Sequence, residues 1–164
     1  MAWIYRYASP LGGMTMASDG EALVSLCFDG QRHFSTMLPP DAVEGRLPVF
    51  DMTCRWLDIY FNGHEPDFMP PLKMLGTDFR QAVWKILLGI PYGKTMTYGE
   101  IAARLASERG MKAMSAQAVG GAVGHNPISI IVPCHRVIGT AGKMVGYGGG
   151  LDRKIALLEM EGSV

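Results

Sequence analysis

Two turn-forming clusters divide the first thirty residues into three apolar runs. Trp3 to Ala8 and Met14 to Ala17 flank Ser9-Pro10-Leu11-Gly12-Gly13, and Asp19-Gly20 separates the second run from Ala22 to Phe28. Strand-length runs joined by Gly, Pro and Asp turns predict an antiparallel meander. In its third strand Leu23, Ser25 and Cys27 share one face and Val24, Leu26 and Phe28 the other, which assigns Cys27 to packing. After a polar connection containing Pro39-Pro40 the period lengthens. Val49, Phe50, Thr53, Trp56, Leu57, Tyr60 and Phe61 recur at helical spacing, an amphipathic helix that covers the sheet with Cys54 near its polar side and Asn62-Gly63 at its end. Pro66, Pro70 and Pro71 cannot continue a helix and read as a linker, so domains are expected over 1–75 and 76–164.

The second half begins with Thr77 as N-cap and Asp78 in the first turn of a helix whose stripe is Phe79, Val83, Ile86 and Leu87. Gly89-Ile90-Pro91-Tyr92-Gly93 closes it. Thr97-Tyr98-Gly99-Glu100 has the capping-box pattern, so another helix starts at Tyr98. A third, weak helix is predicted between a cap at Ser115 and a stop before Pro127. Gly120 and Gly121 cost it about 1 kcal/mol each relative to alanine. Residues this small admit either another backbone or a ligand, which leaves two readings open: a helix-turn-helix used on DNA, or tight helix packing within one domain. Next comes Ile128-Ser129-Ile130-Ile131-Val132, a run expected to form one buried strand and stopped by Pro133. A glycine-rich loop over 139–150 carries Lys143 and Tyr147. Asp152 is expected to cap a last helix containing Ile155, Leu157, Leu158 and Met160, with Arg153 and Lys154 in its first turn, solvated or meeting phosphates.

The chain has 164 residues, 48% apolar and 18% charged, enough to bury a core without disulfides or metal. Cys27, Cys54 and Cys134 are widely spaced and odd in number, with no Cys-x-x-Cys pair, which points to a reducing compartment and away from zinc. The N-terminus has no apolar leader segment and no run approaches a membrane span, so a cytoplasmic protein is expected. Formal charge is zero, but residues 1–75 carry 5 Lys and Arg against 9 Asp and Glu, and residues 76–164 carry 10 against 6. A basic second half suits a polyanion, but by charge alone a surplus this small reads first as a solvated surface.

The chemistry concentrates where Pro133 delivers Cys134, His135 and Arg136 side by side. A thiolate, not a thiol, is the nucleophile, and it needs a base or positive charge nearby; His135 and Arg136 are candidates. Against this stands the commoner fate of a lone cysteine, a small buried hydrophobe.

Pro133-Cys134-His135-Arg136-Val137-Ile138, preceded by Asn126-Pro127 and followed by Gly146-Tyr147-Gly148-Gly149-Gly150 and Leu157-Leu158-Glu159-Met160-Glu161-Gly162, resembles the O6-alkylguanine-DNA alkyltransferase family over about residues 76–164. The resemblance implies an α+β chain: a small N-terminal antiparallel-sheet, ribonuclease-H-like domain, then a mainly helical winged-helix or helix-turn-helix-like domain. It implies DNA repair in one turnover, an alkyl group passing from O6-alkylguanine, or by extension O4-alkylthymine, to Cys134 and inactivating the protein. His135 would act through a water and be oriented by Glu161. The target base must leave the duplex. Tyr98 matches the residue that crowds the target phosphate and contacts the base. Val137 and Gly148 match positions that bind the guanine edge, Tyr147 lines the pocket, and Asn126 braces the turn. Gln117, Ala118, Gly121 and Val123 fall on the helix placed in the minor groove, and Arg136 is assigned structural bonds.

Gln117 departs from the family's usual arginine, which fills the gap left by the flipped base; glutamine can hydrogen-bond the orphaned cytosine but loses charge and planar stacking. Gly149 leaves room for bulky adducts. No cofactor and no metal are expected. The expected partner is double-stranded DNA bearing O6-alkylguanine, with no membrane, bound by a monomer with cooperative binding along DNA left open. Two rival readings are a damage-recognition module, against which Cys134 itself argues, and a cysteine hydrolase, which would turn over.

Overall fold

Trp3–Ser9 (β1) pairs antiparallel with Gly12–Ser18 (β2), Trp3 opposite Ser18 and Ser9 opposite Gly12, and β2 pairs antiparallel with Leu23–Phe28 (β3). The computed structural model describes residues 1–31 and 34–163. The meander is therefore the one that the turn chemistry predicts; Gly12, at φ +122°, takes the left-handed half of its first turn. The sheet is mixed rather than purely antiparallel. Val43–Glu44 (β4) joins β1 in parallel, giving the order β3-β2-β1-β4. Two residues are too short a strand to leave an alternation in the sequence. A short helix, Phe34–Met37 (α1), precedes it.

Pro48–Phe61 (α2) starts with proline at its first position, where a missing N–H costs nothing. Its buried residues are Val49, Phe50, Thr53, Trp56, Leu57 and Tyr60, and Phe50 stacks on Tyr5 of β1 with ring centroids 5.8 Å apart. Strand β3 is buried on both faces and covered along its edge: Leu23 N–H donates to Pro71 and Lys73 N–H to Leu23, while Leu26 N–H donates to Pro127 and Ser129 N–H to Leu26. Such bonds use up donors and acceptors that an open edge would offer to another chain. The chain thus divides into two compact units, Met1–Leu75 with Pro127–Ser129, and Gly76–Asn126 with Ile130–Val164.

In the second unit the predicted caps are in place. Thr77 Oγ1 accepts from Arg80 N–H at the head of Asp78–Leu88 (α3). At the head of Tyr98–Glu108 (α4), Thr97 Oγ1 accepts from Glu100 N–H at 3.0 Å and Glu100 Oε1 from Thr97 N–H at 3.1 Å. Ser115 Oγ accepts from Ala118 N–H at the head of Ala116–Gly124 (α5). Trp84, absent from the predicted stripe of α3, is buried and donates its indole N–H to Ala122 O of α5 at 2.9 Å. Met96–Thr97 (β5) pairs in parallel with Val137–Ile138 (β6).

Two expectations are corrected. The apolar run before Pro133 is not a strand: only Ile128 makes a bridge, and the chain then turns through Ile130 at φ +69°. Ile130, Ile131 and Val132 are buried, so the β-branched composition reports burial and not an extended backbone. The last helix, Leu151–Met160 (α6), has Gly150 at its N-cap with φ +94°, and Asp152 sits inside its first turn. No helix among the described residues is long and apolar enough to cross a membrane.

Candidate active site

Pro133 ends the buried turn and a single 3-10 turn, Cys134–Arg136, follows. Cys134 N–H donates to Val132 O, Arg136 N–H to Pro133 O, and Val137 N–H to Cys134 O. The same Val132 carbonyl accepts the side-chain amide of buried Asn126 at 2.8 Å, which ties the two ends of the 126–132 segment together. Asn126 thus braces the turn that presents Cys134. Cys134 is 7% exposed. Burial pushes its pKa up; the Asn126 amide, the Lys154 charge and the N–H groups of Cys134 and His135 pull it back.

His135 and Glu161 come together without any solvent exposure of their side chains. Nε2 of His135 lies 2.6 Å from Oε2 of Glu161, and Arg136 Nε donates to Oε1 of the same carboxylate at 2.7 Å. Arg136 Nη1 also donates to Ile90 O at 2.7 Å, and its guanidinium lies over the Tyr92 ring. Burial lowers the pKa of His135, Glu161 raises it, and Arg136 and Lys154 lower it again. The imidazole is therefore neutral, and a carboxylate acceptor at Nε2 places its one proton there. Nδ1 is left with a lone pair; it is buried and makes no hydrogen bond among the described residues. This ring is an oriented base.

Tyr98, the first residue of α4, donates its hydroxyl to Val145 O at 3.3 Å, with its pKa raised by burial and then by Cys134. A Cβ at Gly120 would lie 3.8 Å from the Tyr98 ring and one at Gly146 3.4 Å from its hydroxyl, ordinary contact distances that place both glycines beside this tyrosine. The loop after Gly146, at φ +61°, brings Tyr147 edge-on to His135 at 6.5 Å. Gly148 lies in the turn closed by Gly150 N–H on Tyr147 O. Val137 is buried in β6, with its N–H given to Cys134 and its carbonyl already accepting Lys154.

On α5, Gln117, Ala118, Gly121 and Gly124 are exposed, and a Cβ on either glycine would meet open space. Val119, Ala122 and Val123 are buried. Val123 thus turns away from the face it was expected to share: helical steps of about 100° place it opposite Gln117 and Gly121.

Residues 78–163 match the family model described as 6-O-methylguanine DNA methyltransferase, DNA binding domain. The methylated-DNA–protein-cysteine methyltransferase of Mycobacterium tuberculosis is 47% identical over 157 residues, which cover 94% of this chain and 89% of that one. Its counterpart in Haemophilus influenzae is 42% identical over 156 residues, covering 94% and 83%. The chain belongs to the methylated-DNA–protein-cysteine methyltransferase family. A crystal structure of Mycobacterium tuberculosis OGT in complex with DNA superposes on this methyltransferase with a TM-score of 0.85 at 44% identity, covering 98% of this chain and 92% of that one. The α+β fold, a four-stranded mixed sheet followed by a helical DNA-binding domain, is that of the family.

One further residue packs against these groups, although its place in the first turn of α6 predicts a solvated cation. Lys154 is fully buried, and its ammonium donates to the carbonyls of Val137, Val145 and Gly146 and lies 6.0 Å from the Tyr98 ring centre. The signal was present: Lys154, Leu157, Leu158 and Glu161 follow i, i+3, i+4, i+7, so this lysine lies on the apolar stripe. Among the described residues no group of three or more His, Cys, Asp or Glu side chains could hold a metal.

Proposed function

We propose that Cys134 is the acceptor in this methyltransferase and that the protein repairs duplex DNA by taking the alkyl group from O6-alkylguanine in one irreversible turnover. The observation that carries this reading is the buried Glu161–His135 pair, which leaves Nδ1 of a neutral imidazole as a base on the same turn as the thiol. In the proposed step the thiol proton passes through a bridging water to Nδ1 of His135. The sulfur then forms its bond to the alkyl carbon as the carbon–O6 bond breaks. The electron pair stays on guanine, which takes a proton from Tyr98 in exchange for the one held by His135. A thioether is not displaced by water, so the protein is spent.

The base reaches Cys134 by leaving the stack. We assign the exposed face of α5, with Gln117, Ala118 and Gly121, to the groove, Gln117 to the gap, and Val137, Tyr147 and Gly148 to the extruded base. Tyr98 releases Val145 O when it donates to guanine. The carbonyl of Val137 keeps a second lone pair for the base while it accepts Lys154. We place the reaction in the cytoplasm, where three unpaired cysteines stay reduced, and expect the protein to act as a monomer.

Incubation with duplex DNA carrying a labelled O6-methyl group tests the reading. One equivalent of label on Cys134, absent in Cys134→Ser, is expected. Tight binding without label would make this a recognition protein, and repeated turnover a hydrolase. An O4-methylthymine duplex in the same assay sets the substrate range.

A further inference from the structure

Residues 109–115 join α4 to α5, a turn of seven residues where helix-turn-helix units ordinarily use about three or four. Its first half is locked. Arg109 is the C-cap of α4 and Gly110 follows at φ +66°; the N–H of Gly110 returns to Ser107 O and that of Met111 to Ala106 O. This paired closure is a Schellman motif, and it folds Met111 back beside α4. The Arg109 guanidinium lies over the Phe79 ring at 5.7 Å, which ties the turn to α3. Between α4 and the turn runs an open groove of about 440 Å³, with Ala102, Ala103 and Ala106 on one side and Met111, Ala113 and Met114 on the other. Met111 is 50% exposed even so. Among the residues that line the groove, exposed Lys112 is the one that carries charge, and Glu108, at the end of α4, is already paired with Arg104.

We propose that this groove seats the DNA backbone beside the point where α5 enters the duplex, with Lys112 as its phosphate contact. The inference rests on α5 being the helix that meets DNA. A nucleic-acid strand alternates an apolar sugar with an anionic phosphate. The groove answers both, with alanine and methionine side chains, one cation and no carboxylate. It is also continuous with the face already assigned to DNA: Ala116 lines the groove and is the first residue of α5, one position before Gln117. From Lys112 to Gln117 the chain spans at most about 17 Å, about five nucleotide steps at 3.4 Å each. The seat therefore takes backbone that flanks the extruded base. Such contacts hold a protein in register on the duplex without reading its sequence. Gln117 brings no charge to the DNA, and the long turn brings one.

The test is binding, read by fluorescence anisotropy, to duplexes that each carry one neutral methylphosphonate stepped through the strands around O6-methylguanine. At one flanking position the neutral linkage should weaken the wild type and leave Lys112→Gln unaffected, while elsewhere the two proteins respond alike. Lys112→Gln should also flatten the plot of log affinity against log salt by about 0.9, equally on damaged and undamaged duplex. Ala103→Glu sets a carboxylate on the exposed side of the groove, at a helix position that glutamate suits, and should weaken binding about tenfold at low salt. Identical methylphosphonate profiles for wild type and Lys112→Gln, or normal binding by Ala103→Glu, overturn the proposal. Gly121→Leu separates this inference from the reading beneath it. Its side chain would project into open space from α5 and should hold the helix off the duplex. Normal DNA binding by Gly121→Leu removes α5 from the interface and the seat with it. Weak binding by Gly121→Leu beside a wild-type profile in Lys112→Gln overturns the seat alone.

Discussion

His135 Nε2 stands 2.6 Å from Glu161 Oε2, and the other oxygen of that carboxylate holds Arg136. One carboxylate thereby sets the tautomer of the base and neutralises the neighbouring guanidinium. Arg136 in turn occupies Oε1, so that Oε2 is the oxygen facing Nε2.

Glu161→Gln preserves the shape but offers an amide that can donate to Nε2 as readily as accept from it. Loss of the correct tautomer removes general-base help worth about 10²–10⁴-fold, so methyl transfer in a single-turnover assay should slow by at least the lower figure. The unpaired buried Arg136 should cost about 3–5 kcal/mol, read in urea unfolding. A variant with normal stability and a normal rate would show that the carboxylate serves neither role.

The depressed pKa of His135 has a sign that can be checked. The unfolded chain binds a proton at this histidine below about pH 6.5, while the folded chain does so only at lower pH. In that window the unfolded state holds more protons, so this group's contribution to stability is full above pH 6.5 and is lost as the pH falls toward the folded value. Unfolding free energy should decline with acidification in the wild type and decline less in His135→Gln. Methyl transfer should persist somewhat below pH 6.5, since the base stays neutral there.

Gln117 is exposed in the first turn of α5, where an added cation opposes the helix dipole by only about 0.3–1 kcal/mol. Gln117→Arg should tighten DNA binding and steepen the plot of log affinity against log salt by about one contact's worth, a slope change of about 0.9. Fluorescence anisotropy over a salt series measures both. Unchanged affinity and slope would mean that position 117 does not enter the duplex.

Legibility in the sequence followed the length of the signal. The meander, α2, the three capped helices and the Cys134 turn are written in turn residues, capping residues and periodicities several residues long, which act locally and survive folding unchanged. Strand β4 is two residues, and β5 and β6 are two each, so their pairing depends on chain that arrives from elsewhere. The run 128–132 misled because burial and extension favour the same residue types. Lys154 was misplaced because a cation in a helix's first turn usually seeks water, and only its place on the stripe with Leu157 and Glu161 says otherwise.

Ile130 carries a β-branched side chain at φ +69°, a conformation costing about 1–3 kcal/mol that glycine adopts freely. Its neighbour Ile131 is buried to a similar degree, 3% exposed against 1%, so truncating either loses a comparable burial energy. Ile130→Gly should therefore destabilise less than Ile131→Gly by about 1–3 kcal/mol in chemical denaturation. Equal losses would mean that the turn is not strained at Ile130.

The bare face of α5 has a consequence for motion. Gly120, Gly121 and Gly124 give up side-chain contacts and favour the unfolded backbone, leaving Ser115, the Trp84 indole and three buried side chains to hold nine residues. The amides of α5 should accordingly exchange with deuterated solvent sooner than those of α3, which buries Val83, Trp84, Ile86 and Leu87. Seated in a groove, the same amides should slow. The helix suited to close approach should thus be looser than α3 until something approaches it.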